Sequence, residues 1–202
     1  KNGSGKSTLI KSLTMLLNKN IYTTLGNVYW NNENIFQMTE KRLLNLKKKE
    51  IRYVLPDLNH KNDRKTRLKY YLLISGWTQD QISVQLKNYL LPYYDSISNL
   101  HPYEISGGMA QRLSFMLALL PNPRLLILDE PTSAIDYSNV NLIKLKLKEI
   151  AANSNTALIV TQDISFAKEI SDQIAFLHNN ALTEFTESVD FFKDSGLLAH
   201  NS

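Results

Sequence analysis

The chain has 202 residues, 43% of them hydrophobic and 21% charged, and it carries a net charge of +4 and no cysteine. This size and composition predict one globular domain with a substantial core and exclude a disordered chain. The lack of cysteine excludes a disulfide scaffold and a thiolate metal or iron–sulfur site. No apolar run approaches the ~18 residues of a membrane-spanning helix, so any membrane role is expected to depend on a partner.

The first residue and the pattern of charges limit the kinds of targeting segment and partner that the sequence predicts. The first residue is Lys1 rather than Met, and no leader precedes the first motif, which predicts a truncated amino terminus rather than a targeting peptide. Basic residues cluster at 47–49 and 64–69, a pattern that also occurs in proteins that bind nucleic acid or anionic lipid. Acidic residues are almost as numerous and no aromatic platform is interleaved, so we expect solvated surface and no nucleic-acid partner.

The first half of the chain is predicted to change from mixed structure to helices. Residues 9–17 place leucines at helical spacing after a glycine-rich start, which predicts a loop that runs into a helix. The runs 26–30 and 51–55 are typical of short strands. Between about 57 and 120, polar stretches surround helical patterns at 68–74 and 82–91, which predicts a helical insertion.

The second half alternates between strands and helices. Residues 125–128 and 157–161 are continuous apolar runs, typical of a parallel sheet covered on both faces, and the amphipathic segment 141–152 lies between them. A further strand is predicted at 172–177, followed by turn residues Asn179 and Asn180 and a short hairpin return. The predicted fold class is therefore α/β.

The opening residues form most of a phosphate-binding loop, G-x-x-x-x-G-K-[ST], without its first glycine. Glycines in such a loop let successive N–H groups face one point, and the following helix adds the positive end of its dipole. Lys6 is expected to neutralise phosphate oxygens, and the Ser7 hydroxyl is expected to bind Mg²⁺. The simpler alternative is a glycine-rich turn before a helix. The predicted binding residues are Asn2, Gly3, Ser4, Gly5, Lys6, Ser7 and Thr8.

Two carboxylates follow the apolar run 125–128. In open α/β sheets, ligands bind at the carboxyl ends of the strands, where Asp129 and Glu130 are expected to lie. Asp129 suits a second ligand of Mg²⁺, and Glu130 suits a general base that polarises the attacking water. Two adjacent acids after a strand are also often only a solvated strand end.

A third motif, Ser106-Gly107-Gly108 followed by Gln111 and Arg112, stands at the start of a predicted helix. With the two motifs above, it resembles the signature sequence of ABC ATPases. In that family the serine and the glycine amides bind the γ-phosphate of ATP held by the opposite subunit, which suits the positive end of a helix. A merely capped helix would explain the serine but not the glycine pair.

The resemblance implies a P-loop NTPase fold with a mostly parallel sheet and a helical ABC-specific subdomain. It divides the chain into an incomplete first part of the core at 1–56, the helical subdomain at 57–121 and the rest of the core at 122–202. It also implies ATP and Mg²⁺ as ligands, with nucleotide contacts from Ser106, Gly107, Gly108 and Gln111. Asp136 resembles the D-loop aspartate, which contacts the other subunit.

The partners implied are a second ABC ATPase subunit and transmembrane permease subunits, at the cytoplasmic face of the cell membrane. The run 47–57 and the residues around the signature are most similar to ATPases that import peptides or nickel. Many members of that subfamily carry cysteines in an extension at the carboxyl end, and this chain has none.

Two positions depart from the family. Pro56 stands where the family has a glutamine that contacts Mg²⁺ and water, although the neighbouring Asp57 could reach the metal through water. Gln162 stands where the family has a histidine that contacts the γ-phosphate. A glutamine amide donates a neutral hydrogen bond but supplies no positive charge and shuttles no proton. We therefore predict slower hydrolysis at this chain's own site and an asymmetric heterodimer.

Two other functions remain open at this point. One is a soluble ABC protein that acts on ribosomes or DNA, although such proteins usually carry two ATPase domains or a long coiled-coil insertion. The other is a degenerate subunit that mainly binds ATP. The departures Pro56 and Gln162 favour it, and the retained Glu130 speaks against a complete loss of chemistry.

Overall fold

A computed structural model of the protein describes residues 5–18, 20–54, 66–74, 76–133 and 137–193. The chain divides into two compact units, one made of residues 27–159 and the other of residues 1–26 with 160–202. In chain order, the helices are α1 (Lys6–Leu13), α2 (Glu40–Lys49), α3 (Leu68–Leu73), α4 (Gln79–Asn88), α5 (Tyr94–Ile97), α6 (Gly107–Leu119), α7 (Tyr137–Ala152), α8 (Ile164–Ile170) and α9 (Ser188–Lys193). The strands are β1 (Tyr29–Trp30), β2 (Glu33–Asn34), β3 (Ile51–Val54), β4 (Leu125–Asp129), β5 (Thr156–Val160), β6 (Gln173–Ile174), β7 (Leu177–His178), β8 (Ala181–Leu182) and β9 (Thr186–Glu187).

The central sheet has the strand order β3-β4-β5. Strand β4 runs parallel to β3, with Ile51 opposite Leu125 and Val54 opposite Leu128. The middle of β4 is almost completely buried, since Leu126, Ile127 and Leu128 are at most 2% exposed. A continuous apolar run gives a strand buried on both faces, as parallel sheets require. The predicted α/β class and the strand at 125–128 are confirmed.

Helices make up the regular structure of the described residues between 66 and 121. Their contact faces are apolar at helical spacing, so Leu72 and Met116 are completely buried and Leu86 nearly so. Helix α4 begins at a capping box, in which the Thr78 side chain accepts from the Gln81 N–H and the Gln81 side chain accepts from the Thr78 N–H. The helical patterns predicted at 68–74 and 82–91 are confirmed, although α4 begins three residues earlier and ends at Asn88.

Helix α1 is shorter than the pattern at 9–17 predicts. It ends at Leu13, and Met15 adopts a left-handed conformation with φ of 52°. The Leu16 N–H then donates to the Lys11 carbonyl at 2.8 Å and the Met15 N–H donates to the Ser12 carbonyl at 3.1 Å. These two bonds close a helix end of the Schellman type. The leucines at 16 and 17 therefore lie beyond the helix.

The unit of residues 1–26 and 160–202 also holds short antiparallel pairs. The strand predicted at 172–177 is two strands, because β6 pairs with β9 while β7 pairs with β8. The turn between β7 and β8 is formed by Asn179 and Asn180, with φ of 47° and 62°. Asparagine tolerates this left-handed conformation, which two-residue hairpin turns require. The hairpin return predicted at these residues is confirmed.

Candidate functional site

Asp129 ends strand β4, and Tyr53 on the neighbouring strand β3 fixes one side of its carboxylate. The Tyr53 hydroxyl donates a hydrogen bond to Asp129 Oδ2 at 3.2 Å. The other oxygen, Oδ1, is buried and has no hydrogen-bond partner among the described residues. Burial and the adjacent Asp129 charge raise the pKa of Tyr53, so the phenol keeps its proton and remains a donor. A buried carboxylate oxygen without a partner is costly unless a ligand satisfies it.

Glu130 follows directly in an unusual backbone conformation. Its φ is 49°, in the left-handed region that non-glycine residues rarely adopt. The Ser133 N–H and the Ser133 hydroxyl both donate to the Glu130 carbonyl, at 3.1 Å and 2.9 Å. This turn holds Glu130 half-buried immediately after the strand. Such strained conformations concentrate at functional sites, where they aim one side chain in a fixed direction.

The predicted signature residues form the first turn of helix α6. Ser106 caps it, since its Oγ accepts a hydrogen bond from the Met109 N–H at 3.3 Å. Just upstream, Glu104 Oε2 accepts from the His101 N–H at 2.7 Å and lies 2.8 Å from His101 Nδ1. These bonds lower the pKa of Glu104, with the backbone N–H as the largest cause and the ring next. These bonds thus form a local turn at residues 101–104, directly before the signature.

Gln111 contacts the segment that follows β4. Its Nε2 donates to the Pro131 carbonyl at 2.9 Å, and Gln111 is partly buried there. This amide links the signature helix to the residues after Asp129 and Glu130. The nucleotide contact of Gln111 stays a prediction. Within the unit 27–159, the signature helix is therefore tied to the segment that directly follows the two carboxylates.

The phosphate-loop residues and Gln162 belong to the other unit. Gly5 precedes α1 with φ of 88° and ψ of 6°, and α1 has no side-chain cap. Lys6 and Ser7, in the first turn of α1, are half-buried, and Thr8 is exposed. Gln162 is exposed between Thr161, whose Oγ1 accepts from the Asp163 N–H at 3.0 Å, and Asp163, which caps α8. Asn2, Gly3, Ser4, Pro56, Asp57 and Asp136 lie outside the described residues.

Two residues of this site are absent from the predictions, Tyr53 and Asn139. Asn139 is buried in the first turn of α7, and its Oδ1 accepts a hydrogen bond from Arg112 of the signature helix. Both contacts join positions that are distant in sequence, and no motif marks either residue. A polar side chain in a predicted apolar strand, as at Tyr53, is the one local signal for the first of them.

Comparison with known proteins decides the family. The family profile described as "ABC transporter" matches residues 1–133. The chain belongs to the ABC transporter family.

Among its relatives in the ABC family is the dipeptide transport ATP-binding protein DppD of Caldanaerobacter subterraneus subsp. tengcongensis. The two are 32% identical over 95% of this chain and 62% of DppD. The methionine import ATP-binding protein MetN of Carboxydothermus hydrogenoformans is 30% identical over 94% of this chain and 56% of MetN. The chain thus spans between half and two thirds of the length of these two relatives.

Solved structures confirm the fold. The ATP-binding cassette MJ0796, in a dimeric post-hydrolysis state bound to ADP and Pi, superposes with a TM-score of 0.76 at 24% identity, over 93% of this chain and 82% of that one. An ATP-binding subunit of an ABC transporter gives a TM-score of 0.78 at 21% identity, over 98% and 80%. The fold is that of the ABC cassettes, as the motifs predict. In the part of the chain that the structure describes, no helix combines the length and the apolar character needed to cross a bilayer.

Proposed function

We propose that this chain is an ATP-binding and ATP-hydrolysing subunit of an ABC transporter. One observation supports this most directly: β4 delivers Asp129, with its buried and unpartnered Oδ1, immediately before the strained and half-buried Glu130. An ordinary solvated strand end explains neither feature. The family membership, and relatives named as ATP-binding proteins of transport systems, point to the same function.

The residues take the roles that the resemblance implies. Lys6 and the backbone of residues 2–5 bind the phosphates of ATP, and Ser106, Gly107 and Gly108 bind the nucleotide held by the other subunit. Glu130 acts as the general base toward the attacking water, and Gln162 donates a hydrogen bond to the γ-phosphate. Asp136 contacts the other subunit. Gln111 contacts the nucleotide held by the other subunit, and its bond to the Pro131 carbonyl also positions the signature helix.

The donor set fits Mg²⁺. Hard oxygens are the ligands that this ion prefers, and Asp129 Oδ1 is such an oxygen, buried and without a partner among the described residues. We assign Asp129 to the metal on this observation, and Ser7 on the resemblance alone. When bound, Mg²⁺ neutralises charge on the phosphates. Tyr53 holds Oδ2 by its hydroxyl at 3.2 Å, which leaves Oδ1 as the oxygen for the metal.

The decisive experiment compares Glu130→Gln with the matched variant Glu149→Gln, which changes an exposed glutamate on α7 paired with Lys146. Removal of a general base lowers a rate by about 10²–10⁴-fold, so Glu130→Gln should abolish most single-turnover hydrolysis. ATP binding, measured by titration with a fluorescent nucleotide, should stay within about twofold because the phosphate loop is unchanged. Glu149→Gln should hydrolyse ATP at the normal rate. Equal hydrolysis by both variants would contradict the proposal.

An asymmetric heterodimer is the form of this function that we favour. Gln162 is exposed at the end of β5 and carries no charge, so this chain's own site turns over slowly while its intact signature serves the partner's site. Gln162→His should then raise turnover at this site, and Gln162→Asn is the control that keeps the amide but shortens it. Nucleotide trapped on each subunit separately measures the two sites. Equal trapping on both subunits of the unaltered pair would overturn the asymmetry.

For partners, place and cargo, we infer permease subunits at the cytoplasmic face of the membrane and import of peptides or nickel. The dipeptide relative supports a peptide, whereas the methionine relative is named for a different small solute. A soluble ATPase that acts on ribosomes or DNA receives no support from these names. Co-purification with permease subunits, followed by peptide-stimulated ATP hydrolysis in the reconstituted complex, tests the cargo. Stimulation by methionine but not by a dipeptide would reject it.

A further inference from the structure

The two signature glycines are neighbours in sequence but have different surroundings. A methyl group at Gly107 would meet no atom within 4 Å, apart from its own helix backbone, among the described residues. A methyl group at Gly108 would lie 3.0 Å from Asn139 Nδ2 and 3.6 Å from Arg112 Nη1. Neither glycine has a positive φ, so backbone freedom does not explain them. At Gly108 the missing side chain gives room to Asn139.

Asn139 is a buried polar residue, only 4% exposed, in the first turn of α7. Its Oδ1 accepts a hydrogen bond from Arg112 Nη1, and Arg112 Nη2 donates to the Leu90 carbonyl at 3.4 Å. The remaining guanidinium nitrogen, Nε, is buried without a hydrogen-bond partner among the described residues. A partly buried cation needs acceptors, because desolvation without them is costly. Asn139 therefore satisfies Arg112 on one side and packs against Gly108 on the other.

We propose that Asn139 is a positioning residue that sets the first turn of α6 against the first turn of α7. This rests on the proposed function, in which Ser106, Gly107 and Gly108 contact the nucleotide of the second subunit and Asp136, just before α7, contacts that subunit. Asn139, in the first turn of α7, meets α6 at two points, since its Oδ1 accepts from Arg112 and its Nδ2 lies in the space that a side chain at position 108 would need. Asn139 is buried, and a Cβ at position 108 would lie only 3.0 Å from its Nδ2, so we expect a displacement of α7 to be transmitted to the signature turn.

A thermal double-mutant cycle tests the contact itself. Gly108→Ala should lower the Tm by about 3–8 °C, the effect of overpacking in a domain of this size. Gly107→Ala, the matched control one residue away, should leave the Tm unchanged or raise it, because alanine favours helix and meets no neighbour. In an Asn139→Ala background, Gly108→Ala should cost nothing further. Equal losses from both glycine substitutions, or the same Gly108→Ala loss in both backgrounds, would overturn the contact.

A second measurement separates positioning from simple stabilisation. With hydrolysis blocked by Glu130→Gln, ATP-dependent association of the subunit with its partner ATPase, or with itself where it pairs with itself, is followed by analytical ultracentrifugation. Asn139→Ala should weaken that association about 10-fold while the affinity of the isolated subunit for a fluorescent nucleotide changes by less than about twofold. Asn139→Asp keeps the size and the acceptor for Arg112, so it should restore most of the association.

The outcomes separate this inference from the function on which it rests. A lower Tm with unchanged ATP-dependent association would make Asn139 merely structural and reject the positioning role. Failure of the parent chain to bind ATP at all would reject the proposed function, and the role of Asn139 toward a nucleotide with it. The thermal cycle still decides in that case whether Asn139 is the reason for glycine at position 108.

Discussion

Two helices of this protein begin beside glycines, and the two starts are built differently. Gly5 precedes α1 in a left-handed conformation, with φ of 88°, and no side chain caps that helix. Ser106 precedes α6 in an extended conformation, with φ of −65°, and its hydroxyl caps the Met109 N–H. At Gly5, glycine allows a positive φ. At Gly108, the absence of a side chain leaves room for Asn139.

The difference suits the two kinds of anion site that the proposed function requires. A helix start without a side-chain cap leaves first-turn N–H groups to a ligand, as a phosphate loop requires. At α6 the cap takes up the Met109 N–H, and the Ala110 N–H donates to the Ser106 carbonyl at 2.8 Å. Gly107 and Gly108 then form the open end of the helix. In the proposed function, the first start binds this chain's own nucleotide, and the second contacts a nucleotide that another subunit carries.

The largest expected effect separates the two starts by nucleotide affinity. Lys6→Ala should weaken ATP binding by the isolated subunit about 10- to 100-fold, because it removes a charge-assisted contact to phosphate. Ser106→Ala should change that affinity by less than about twofold, since in the proposed function the signature contacts the other subunit's nucleotide. Titration with a fluorescent ATP analogue measures both. Lys11→Ala, in the last turn of the same helix, controls for net charge, and a loss equal to that of Lys6→Ala would contradict the assignment.

The second prediction concerns backbone strain. Gly5→Ala should lower the free energy of unfolding by about 1–2 kcal/mol, because a residue with a Cβ is strained at φ of 88°. Gly107→Ala introduces no such strain and serves as the control. Urea denaturation measures the free energy of unfolding of both variants, and an unchanged m-value shows that the two can be compared. Equal stability of Gly5→Ala and the unaltered protein would mean that the conformation at Gly5 is not required by the fold.

Both helix starts are predictable from the sequence, because a local motif fixes each of them. The end of α1 is not predictable in the same way. Leucines at 16 and 17 extend the apolar pattern, yet Met15 takes the left-handed position that glycine usually occupies at a helix end. Only tertiary context decides whether Met15 continues the helix or terminates it.

The contacts that organise the site are also beyond local patterns. Tyr53 and Asp129 meet only because β3 and β4 pair in the register that places Tyr53 opposite Ile127. Arg112 on α6 and Asn139 on α7 meet through the packing of these two helices, and no local sequence pattern predicts that contact. A one-residue change of strand register would turn Tyr53 to the other face, so the motif residues are predictable while their supporting contacts are not.

The third prediction tests the cap of α6. Ser106→Ala should cost about 1 kcal/mol of stability, the usual effect of losing a side-chain N-cap. Thr78→Ala, at the capping box of α4, is the matched control and should cost about the same, because its side chain has the equivalent role. Thr78 lies outside the site, so only Ser106→Ala should also impair ATP-dependent association. Loss of association in both variants would indicate a general effect of the helical segment.

The smallest effect concerns pH and the turn that precedes α6. Hydrogen bonds from the His101 N–H and ring lower the pKa of Glu104, so the ionised carboxylate is favoured in the folded protein. Since the folded pKa lies below the unfolded one, this stabilisation is complete above the ordinary glutamate pKa of 4.5 and disappears as the pH falls through the lower, folded value. Glu104→Gln should therefore lower the Tm by about 1 °C at pH 7 and by nothing measurable at pH 3, as expected for exposed hydrogen bonds to a carboxylate. Glu184→Gln, at an exposed glutamate of the other unit, is the control and should show no such dependence. If the Glu104→Gln difference in Tm persists at pH 3, packing rather than the carboxylate charge holds the turn before the signature. The starts of α1 and α6 would then differ mainly in their caps.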